Sequence, residues 1–359
     1  MRCHYLSDLH LESQDFRGTL PKGDVLIIAG DLCHARCLDP ARTDKYSIDQ
    51  RARVLRFVDS AVTNFAHVLL IAGNHEHYDG VFDDTAGLMK RNLPGVTVLD
   101  NEHVEIDGIR FFGATLWSNF EERSETSMNA VRRRMGEFFF VKTRRVDADG
   151  RENLAKFRPE DALAAFDASW LVLKDFVAGP GSKSTVIISH HAPSLQGLNP
   201  RHAGNGIDGA YASNLDERIA AFSAVPVWVH GHTHIKRTYR IGDTLVHANC
   251  RGFENKDASA RSFHRTRSLI SDVCEIRNQS RECQMMPRPR SVMSANNVLP
   301  TKRDRGRGEI DPLQPKAMRR LVAPARPLSA KGDSFNQRPR SKFKKCEDTS
   351  FSTFEIEPR

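Results

Sequence analysis

The sequence predicts an α/β protein, a two-layered sandwich of mixed β-sheets that is flanked by helices. Three observations support this fold class: short apolar runs of strand length, amphipathic helical stripes between them, and tight-turn signals between shorter strands. With 359 residues and a hydrophobic share of 39%, the chain is long enough to bury a substantial core.

Five apolar runs have the pattern of buried strands, and each stops at a group of polar residues. The runs are 4–6, 25–29, 68–72, 185–188 and 225–229. Their Val, Ile and Leu residues indicate strands that are covered on both faces, and ligands of open α/β sheets gather at the carboxyl ends of such strands. The polar residues that follow these runs are therefore expected to meet at one edge of the fold.

Helical periodicity fills two of the gaps between these strands. Apolar residues at three-and-four spacing from Val54 to Phe65 predict a helix between the second and third strands, which makes a βαβ unit. A second helix is predicted to begin at Pro159, because the fixed φ of proline and its missing donor suit a first helical turn.

Shorter strands are predicted at 96–99, 104–106 and 109–116. Asp-Asn and Asp-Gly pairs separate them, and such pairs favour tight antiparallel connections, so the predicted sheets are mixed. The charge-rich stretch 119–158 carries a helical stripe from Met128 to Phe139. It is predicted to be an insertion or cap near the site.

The basic charge of the chain is concentrated in its C-terminal part. The net charge is +8, but residues 255–359 hold 23 Lys and Arg against 12 Asp and Glu, so residues 1–254 carry a small net negative charge. The segment 255–359 is rich in Arg, Ser and Pro and has no sustained apolar period, which predicts a disordered tail behind one domain at 1–254. Such a tail could bind nucleic acid through counterion release, although it lacks a named binding module.

Cysteine usage and the lack of apolar segments indicate the compartment. The seven cysteines are scattered and include no Cys-x-x-Cys pair, which argues against a secreted disulfide framework. The N-terminal residues lack the apolar core of a signal peptide, and no run approaches the ~18 apolar residues that a membrane span needs. A cytoplasmic protein without a membrane span is expected, and its oligomeric state cannot be read from the sequence.

Histidines and carboxylates at the strand ends have the spacing of metal ligands. Asp8 and His10 sit two residues apart, and His232 and His234 repeat that spacing. In an extended segment, residues two apart project to the same face, so each pair could bind one ion. Imidazoles mixed with carboxylates suit Mn, Fe, Zn or Co better than Mg or Ca, and Mn is the favoured candidate.

Further residues at the strand ends extend this set to two ions. Asp31 follows a glycine at a strand end, where its carboxylate could bridge two cations, and Asn74 adds a neutral carbonyl oxygen. Two ions about 3.5–4 Å apart can activate a shared water for hydrolysis. His75 is then available to donate a proton to a leaving group. Either His190 or His191 could be the ligand of its block, and His190 is favoured because it comes first after the strand.

The order of these blocks resembles the calcineurin-like metallophosphoesterase superfamily over residues 1–254. The blocks are Asp-Leu-His, Gly-Asp, Gly-Asn-His-Glu, His-His-Ala-Pro and Gly-His-Thr-His. The resemblance implies a metallo-dependent phosphatase-like fold, a metal-bridging hydroxide as nucleophile and His75 as general acid. It also implies two ligand sets: Asp8, His10, Asp31 and His234 for one ion, and Asp31, Asn74, His190 and His232 for the other.

The expected function is hydrolysis of phosphomonoesters or phosphodiesters with two divalent ions. Two alternatives are a nuclease whose tail binds nucleic acid and a non-catalytic metal-binding protein that interacts with a partner. The residues that bind substrate are not identified by the sequence. Arg132, Arg133 and Arg134 could meet a substrate phosphate, although a solvated helix face is the more common interpretation of such a cluster. His77 and His202 are further candidates close to the blocks, and Arg251 could also reach the site.

Overall fold

Two β-sheets pack face to face in the computed structural model, which describes residues 1–179, 184–222, 225–261, 263 and 267–268. The first sheet has five strands: β1 (Cys3–Leu6), β2 (Gly23–Ile28), β3 (Phe65–Leu70), β4 (Val96–Val98) and β13 (Arg267–Ser268). Strands β1 to β4 are parallel neighbours, and β13 pairs antiparallel with β1 at the edge.

The second sheet has six strands and a parallel centre. Its strands are β5 (Glu102–Ile106), β6 (Ile109–Ala114), β9 (Thr185–Ser189), β10 (Val227–His230), β11 (Lys236–Ile241) and β12 (Thr244–Asn249). The neighbours β6, β9, β10 and β12 run parallel, whereas β5 and β11 pair antiparallel at the two edges. The predicted sandwich of mixed sheets is therefore confirmed.

Alternate residues of the central strands enter two different cores. In β2, Ile27 lies between the sheets together with Leu69 of β3 and Phe111 of β6. Its neighbour Leu26 points to the opposite face and packs in the cluster that contains Val54. All of these side chains are almost fully buried. Because both faces of the strands are covered, the runs are continuously apolar rather than alternating.

Helices cover the outer faces of the sandwich. The helix α1 (Lys45–Asn64) connects β2 to the parallel strand β3, as the predicted βαβ unit requires, and the Asp44 side chain caps it by accepting from the Ser47 amide at 2.9 Å. Next in the chain comes α2 (Thr85–Asn92). The second predicted helix is α6 (Pro159–Ala178), with proline in its first turn. Both helix predictions are confirmed.

The segment 119–158 folds into short elements rather than one long helix. They are α3 (Phe120–Arg123), α4 (Glu125–Val131), α5 (Glu137–Phe140), β7 (Lys142–Val146) and β8 (Glu152–Lys156). The predicted stripe is interrupted between α4 and α5, yet Val131, Met135 and Phe138 are buried in one core as the stripe requires. Phe139 is 49% exposed, so its place in the stripe was wrong. The backbone of α3 is left-handed, with positive φ at all four residues.

The ordered fold continues past residue 254. The elements α7 (Asp208–Tyr211) and α8 (Asp216–Ala220) precede this point, and α9 (Ala258–Arg261) and β13 follow it. Phe263 packs against the hydrophobic core that contains Leu26 and Val54. Residues 262, 264–266 and 269–359 of the predicted tail lie outside the described residues. None of the helices in the described part of the chain combines the length and the hydrophobicity that a bilayer span requires.

We expect Trp228→Ala to lower the free energy of unfolding by about 3–5 kcal/mol, as truncations of large buried side chains do. Trp228 lies in the central strand β10, is fully buried, and donates from Nε1 to Ser189 Oγ at 2.8 Å. Urea denaturation of the purified protein measures the loss. Leu171→Ala is the control, because Leu171 is 56% exposed and its truncation should change stability by less than about 0.5 kcal/mol. Equal losses in the two variants would contradict this packing.

Candidate metal centre

The loops that follow five parallel strands converge at one end of the sandwich. These loops come after β1, β2 and β3 of the first sheet and after β9 and β10 of the second. They carry all seven residues that the sequence predicts as ligands, and the structure brings them together in one cluster: Asp8, His10, Asp31, Asn74, His190, His232 and His234. The cluster lies where parallel strands direct the polar residues at their carboxyl ends.

One part of the cluster consists of two imidazoles and two carboxylates. One ligand atom each of Asp8, His10, Asp31 and His234 lies within 4.8 Å of the others. The Nε2 atoms of His10 and His234 face each other at 3.0 Å, and His234 Nε2 lies 3.4 Å from Asp8 Oδ1. Electron-pair donors that point at one centre form a donor set that suits a divalent transition metal ion.

A second part of the cluster shares Asp31 with the first. His190 Nε2 lies 3.3 Å from Asp31 Oδ1 and 3.1 Å from Asn74 Oδ1, and His232 belongs to the same group. His232 Nε2 is buried and has no hydrogen-bond partner among the described residues. Burying such a nitrogen without a partner costs free energy, which coordination to an ion would offset. The donor atoms present therefore fit divalent metal ions, and Asp31 belongs to both groups of candidate ligands.

Left-handed backbone directs the candidate ligands into the cluster. Asp8, His10, Asp31, His232 and His234 all have positive φ, between 47° and 67°. They lie in loops beyond the strand ends. The prediction that the pairs Asp8/His10 and His232/His234 lie in extended segments was therefore wrong, although these residues do meet. Non-glycine residues adopt this conformation at a cost, and such strain is typical of functional sites.

Two glycines allow the loops to approach each other closely. A Cβ atom at Gly73 would lie 2.2 Å from Asp31 Oδ1, and one at Gly30 would lie 2.5 Å from His190 Nδ1. Gly30 also has a φ of +85°, which favours glycine. Both glycines are thus needed for space, and Gly30 is needed for its left-handed backbone as well.

His190 and not His191 points into the cluster. Besides its contacts with Asp31 and Asn74, His190 has Nδ1 2.8 Å from the carbonyl oxygen of Ala29. Such a bond to the second ring nitrogen orients an imidazole ligand. The ring of His191 packs against Trp117, and burial lowers its pKa to about 3. The geometry agrees with the choice that the sequence favoured.

Glu12 is a buried carboxylate that sequence reasoning did not identify. Its Oε1 accepts from His10 Nδ1 at 2.8 Å and from His75 Nδ1 at 3.0 Å. Burial alone would lower the pKa of His75, but the carboxylates of Asp31 and Glu12 outweigh it and raise the pKa to about 9. Glu12 therefore orients both rings. Its position two residues after His10 is the only signal in the sequence.

Asp257 also supports the cluster, from beyond the predicted domain boundary at residue 254. Its Oδ2 accepts from His234 Nδ1 at 2.7 Å and from the Phe253 amide at 2.8 Å. Burial lowers the pKa of His234, but Asp257 and Asp8 outweigh it and raise the pKa to about 10. Nothing in the local sequence distinguishes Asp257 from other acidic residues of the basic segment.

Glu76 connects the loop after β2 to the loop after β3. Its carboxylate accepts hydrogen bonds from four buried backbone amides, those of Asp31, Leu32, Cys33 and Gly73, at 2.6–3.2 Å. Because Asp31 and Asn74 lie on these two loops, Glu76 sets the distance between them. The sequence places Glu76 in the Gly-Asn-His-Glu block but does not show this role.

A cavity of about 330 Å³ opens onto the cluster. The segment 119–158 contributes Arg134, Met135 and Gly136 to its wall. The chain after β9 contributes four loop residues, Leu198, Asn199, His202 and Asn205, and Asp208 at the start of α7. His75 also lines it and is 18% exposed. Arg251 is directed elsewhere, since its guanidinium donates to the carbonyl oxygens of Leu9 and Asp15.

The chain belongs to the calcineurin-like phosphoesterase family, whose model matches residues 1–236. An uncharacterized protein of Acanthamoeba polyphaga mimivirus is 22% identical over 222 residues, which are 56% of this chain and 74% of that protein. Among solved structures, phosphopantetheinyl hydrolase from Mycobacterium tuberculosis superposes with a TM-score of 0.50 at 16% identity. The match covers 75% of this chain and 95% of that one. This likeness concerns the fold alone.

We expect Glu76→Gln to lower the free energy of unfolding by about 2–4 kcal/mol, because an amide NH₂ would face buried backbone N–H groups that now bond to a carboxylate. Urea denaturation with a chelator present measures this effect without any contribution from bound metal. In the control Glu102→Gln, an exposed side chain loses its ion pair with Lys90, and the change should stay within about 1 kcal/mol. A Glu76→Gln variant as stable as this control would contradict the role of the carboxylate.

Proposed function

We propose that this protein hydrolyses phosphomonoesters or phosphodiesters at a centre that holds two divalent transition metal ions, with Mn²⁺ favoured. The observation that carries the proposal is the position of Asp31, whose two carboxylate oxygens face different groups of ligand atoms. Asp31 Oδ1 lies 3.3 Å from His190 Nε2, and Oδ2 lies 3.9 Å from His10 Nε2. Family membership supports the same reaction class.

The two ligand sets share Asp31. One ion would be held by Asp8, His10, Asp31 and His234, and the other by Asp31, Asn74, His190 and His232. When bound, a pair of ions lowers the pKa of a water between them and stabilises negative charge on the phosphoryl oxygens. The chain itself keeps the loops at their spacing through Glu76 and orients the histidines through Glu12 and Asp257.

His75 is the proposed general acid. Glu12 accepts a hydrogen bond from His75 Nδ1–H. When the ring is protonated, its second N–H is therefore at Nε2. The hydrogen bond to the Glu12 carboxylate favours the protonated ring, as proton donation to a leaving group requires. The ring also stacks on Tyr78, with a centroid distance of 4.3 Å, and this contact restricts its rotation.

Two other functions stay predictions from the sequence. A nuclease would use the basic tail to bind nucleic acid, and that tail lies almost entirely outside the described residues. A non-catalytic protein would keep the ions as structure and use the tail for a partner. His75 argues against the second alternative, because a structural metal site has no need of a proton donor in the cavity. A cytoplasmic location is likewise a prediction.

We expect Asp31→Ala to reduce hydrolysis to the rate of the metal-free protein and to lower the metal content. We expect His75→Gln to lower kcat by about 10²–10⁴-fold while the ions are retained, because only proton transfer is lost. Hydrolysis of 4-nitrophenyl phosphate and bis(4-nitrophenyl) phosphate with added Mn²⁺ measures the rates, and mass spectrometry of the metals measures occupancy.

The matched control for these two variants is His103→Gln. His103 lies on the edge strand β5, away from the cluster, and contacts Phe176. This variant should keep the rate and the metal content of the original protein. Hydrolysis that survives Asp31→Ala or His75→Gln unchanged would exclude the proposed reaction at this site.

We expect Asp257→Ala to weaken metal binding by about 10–100-fold, because the hydrogen bond that orients His234 is removed. Competition with a chelating indicator measures the affinity for Mn²⁺ and Zn²⁺. Asp243→Ala is the control, since Asp243 is exposed in the turn between β11 and β12. If both variants bind metal as the original protein does, Asp257 has no part in the centre.

A further inference from the structure

Three consecutive arginines at 132–134 have different surroundings in the folded chain. Arg132 forms an ion pair with Glu160 on α6. Arg133 is exposed and does not line the cavity. Arg134 is exposed as well, but it lines the cavity that opens onto the metal cluster. Of the three arginines, Arg134 is thus the one that lies at the cavity rather than elsewhere on the surface.

The side chain of Arg134 is held in place by a neutral group. Its Nη1 donates to the carbonyl oxygen of Asn205 at 2.7 Å, which ties it to the loop that forms another part of the cavity wall. This bond fixes the guanidinium but does not neutralise it. Asp208, the acidic residue at the start of α7 directly after that loop, accepts from the Gly204 amide at 2.7 Å.

Three further arginines of the segment 119–158 are paired with carboxylates. Arg123 pairs with Asp167, Arg144 with Asp84 and Arg145 with Asp161, each at 2.6–2.7 Å. In the part of the chain that the structure describes, no carboxylate lies within 4.0 Å of the Arg134 guanidinium. A positioned, unneutralised guanidinium in the wall of a cavity is suited to bind an anion, and its planar fork matches a phosphate.

The cavity connects this arginine with the proposed reaction site. Tyr211 lines the same cavity as Arg134, and its ring stacks on the candidate ligand His232 with a centroid distance of 4.7 Å. A volume of about 330 Å³ lies within the range of sites for small molecules and exceeds what one phosphoryl group requires. A substrate could therefore contact the cluster with one group and Arg134 with another.

We propose that Arg134 binds a second phosphate group of the substrate, so that the preferred substrates are small esters that carry two phosphates. This inference rests on the proposed function, because it assigns the substrate class of the same site. Arg134 would determine specificity, while the reacting phosphate would be held at the metal cluster. Esters with one phosphate would still be hydrolysed, but less efficiently.

The experiment compares substrates that differ only in the second phosphate. Alkyl monophosphates and the matching α,ω-alkanediol bisphosphates, with two to six carbons, scan the distance between the two groups. Phosphate release with Mn²⁺ gives kcat/KM for the full-length protein and for Arg134→Ala. Arg133→Ala is the matched control, since it removes the same charge from the adjacent position outside the cavity.

We expect at least one bisphosphate to exceed its monophosphate by about tenfold or more in kcat/KM, the effect of a charge-assisted hydrogen bond pair. Arg134→Ala should remove most of this preference and leave the monophosphates within about threefold. Arg133→Ala should keep the preference. If Arg134→Ala acted only by removing the contact with Asn205, kcat/KM would fall by the same factor for all substrates. That result would overturn the proposal. A preference that is absent, or that survives Arg134→Ala, would overturn it as well.

A binding measurement separates this inference from the proposed reaction. Alkylphosphonates and α,ω-alkanediphosphonates of the same lengths cannot be hydrolysed, and calorimetry with the Mn²⁺-loaded protein gives their affinities. Tighter binding of a diphosphonate that depends on Arg134 supports the subsite even if no ester is hydrolysed, which would count against the proposed function alone. Equal affinities for the two series, with hydrolysis intact, would reject the subsite and leave the proposed function standing.

Discussion

The carboxylate of Asp31 is the interaction on which the arrangement of the site depends. It lies at the end of β2 and contacts His190 from the second sheet, while its Oδ1 also accepts from the amide of His75 at 2.9 Å. Several positively polarised groups thus surround one fully buried carboxylate, which could not otherwise remain charged away from water. The two sheets must therefore pack with their parallel strand ends at the same edge.

Carboxylates around the cluster hold this arrangement in place. Glu76 satisfies the amides of the loops after β2 and β3, Glu12 orients two imidazoles, and Asp257 orients a third. Each of these acidic groups is buried or partly buried and accepts from donors of the cluster or its loops, although Glu12 Oε2 has no hydrogen-bond partner among the described residues. The glycines leave space for this packing, and the left-handed residues direct the side chains inward. Rigid support of this kind preorganises a reactive site.

Two stretches of the cavity wall lie apart from the candidate ligands: residues 134–136 of the segment 119–158 and residues 198–208 after β9. The segment 119–158 and the loop after β9 meet through the bond between Arg134 and Asn205. Neither residues 134–136 nor residues 198–208 include a candidate ligand, so this part of the wall can change while the cluster is kept. Functions are built on a common fold in this way, with the chemistry set by one group of residues and the choice of substrate set by another.

The sequence by itself determined the sandwich, its main strands and helices, and the seven residues that meet at the cluster. These features depend on local patterns, because buried strands are apolar and the candidate ligands follow their ends directly. Only the tertiary structure decided that Glu12 bonds to His75, 63 residues away, and that Asp257 bonds to His234. It also showed that Arg134 lines the cavity whereas Arg132 and Arg133 do not. Such contacts join residues that are distant in the chain, and a lone acidic or basic residue has no local pattern that reveals its partner.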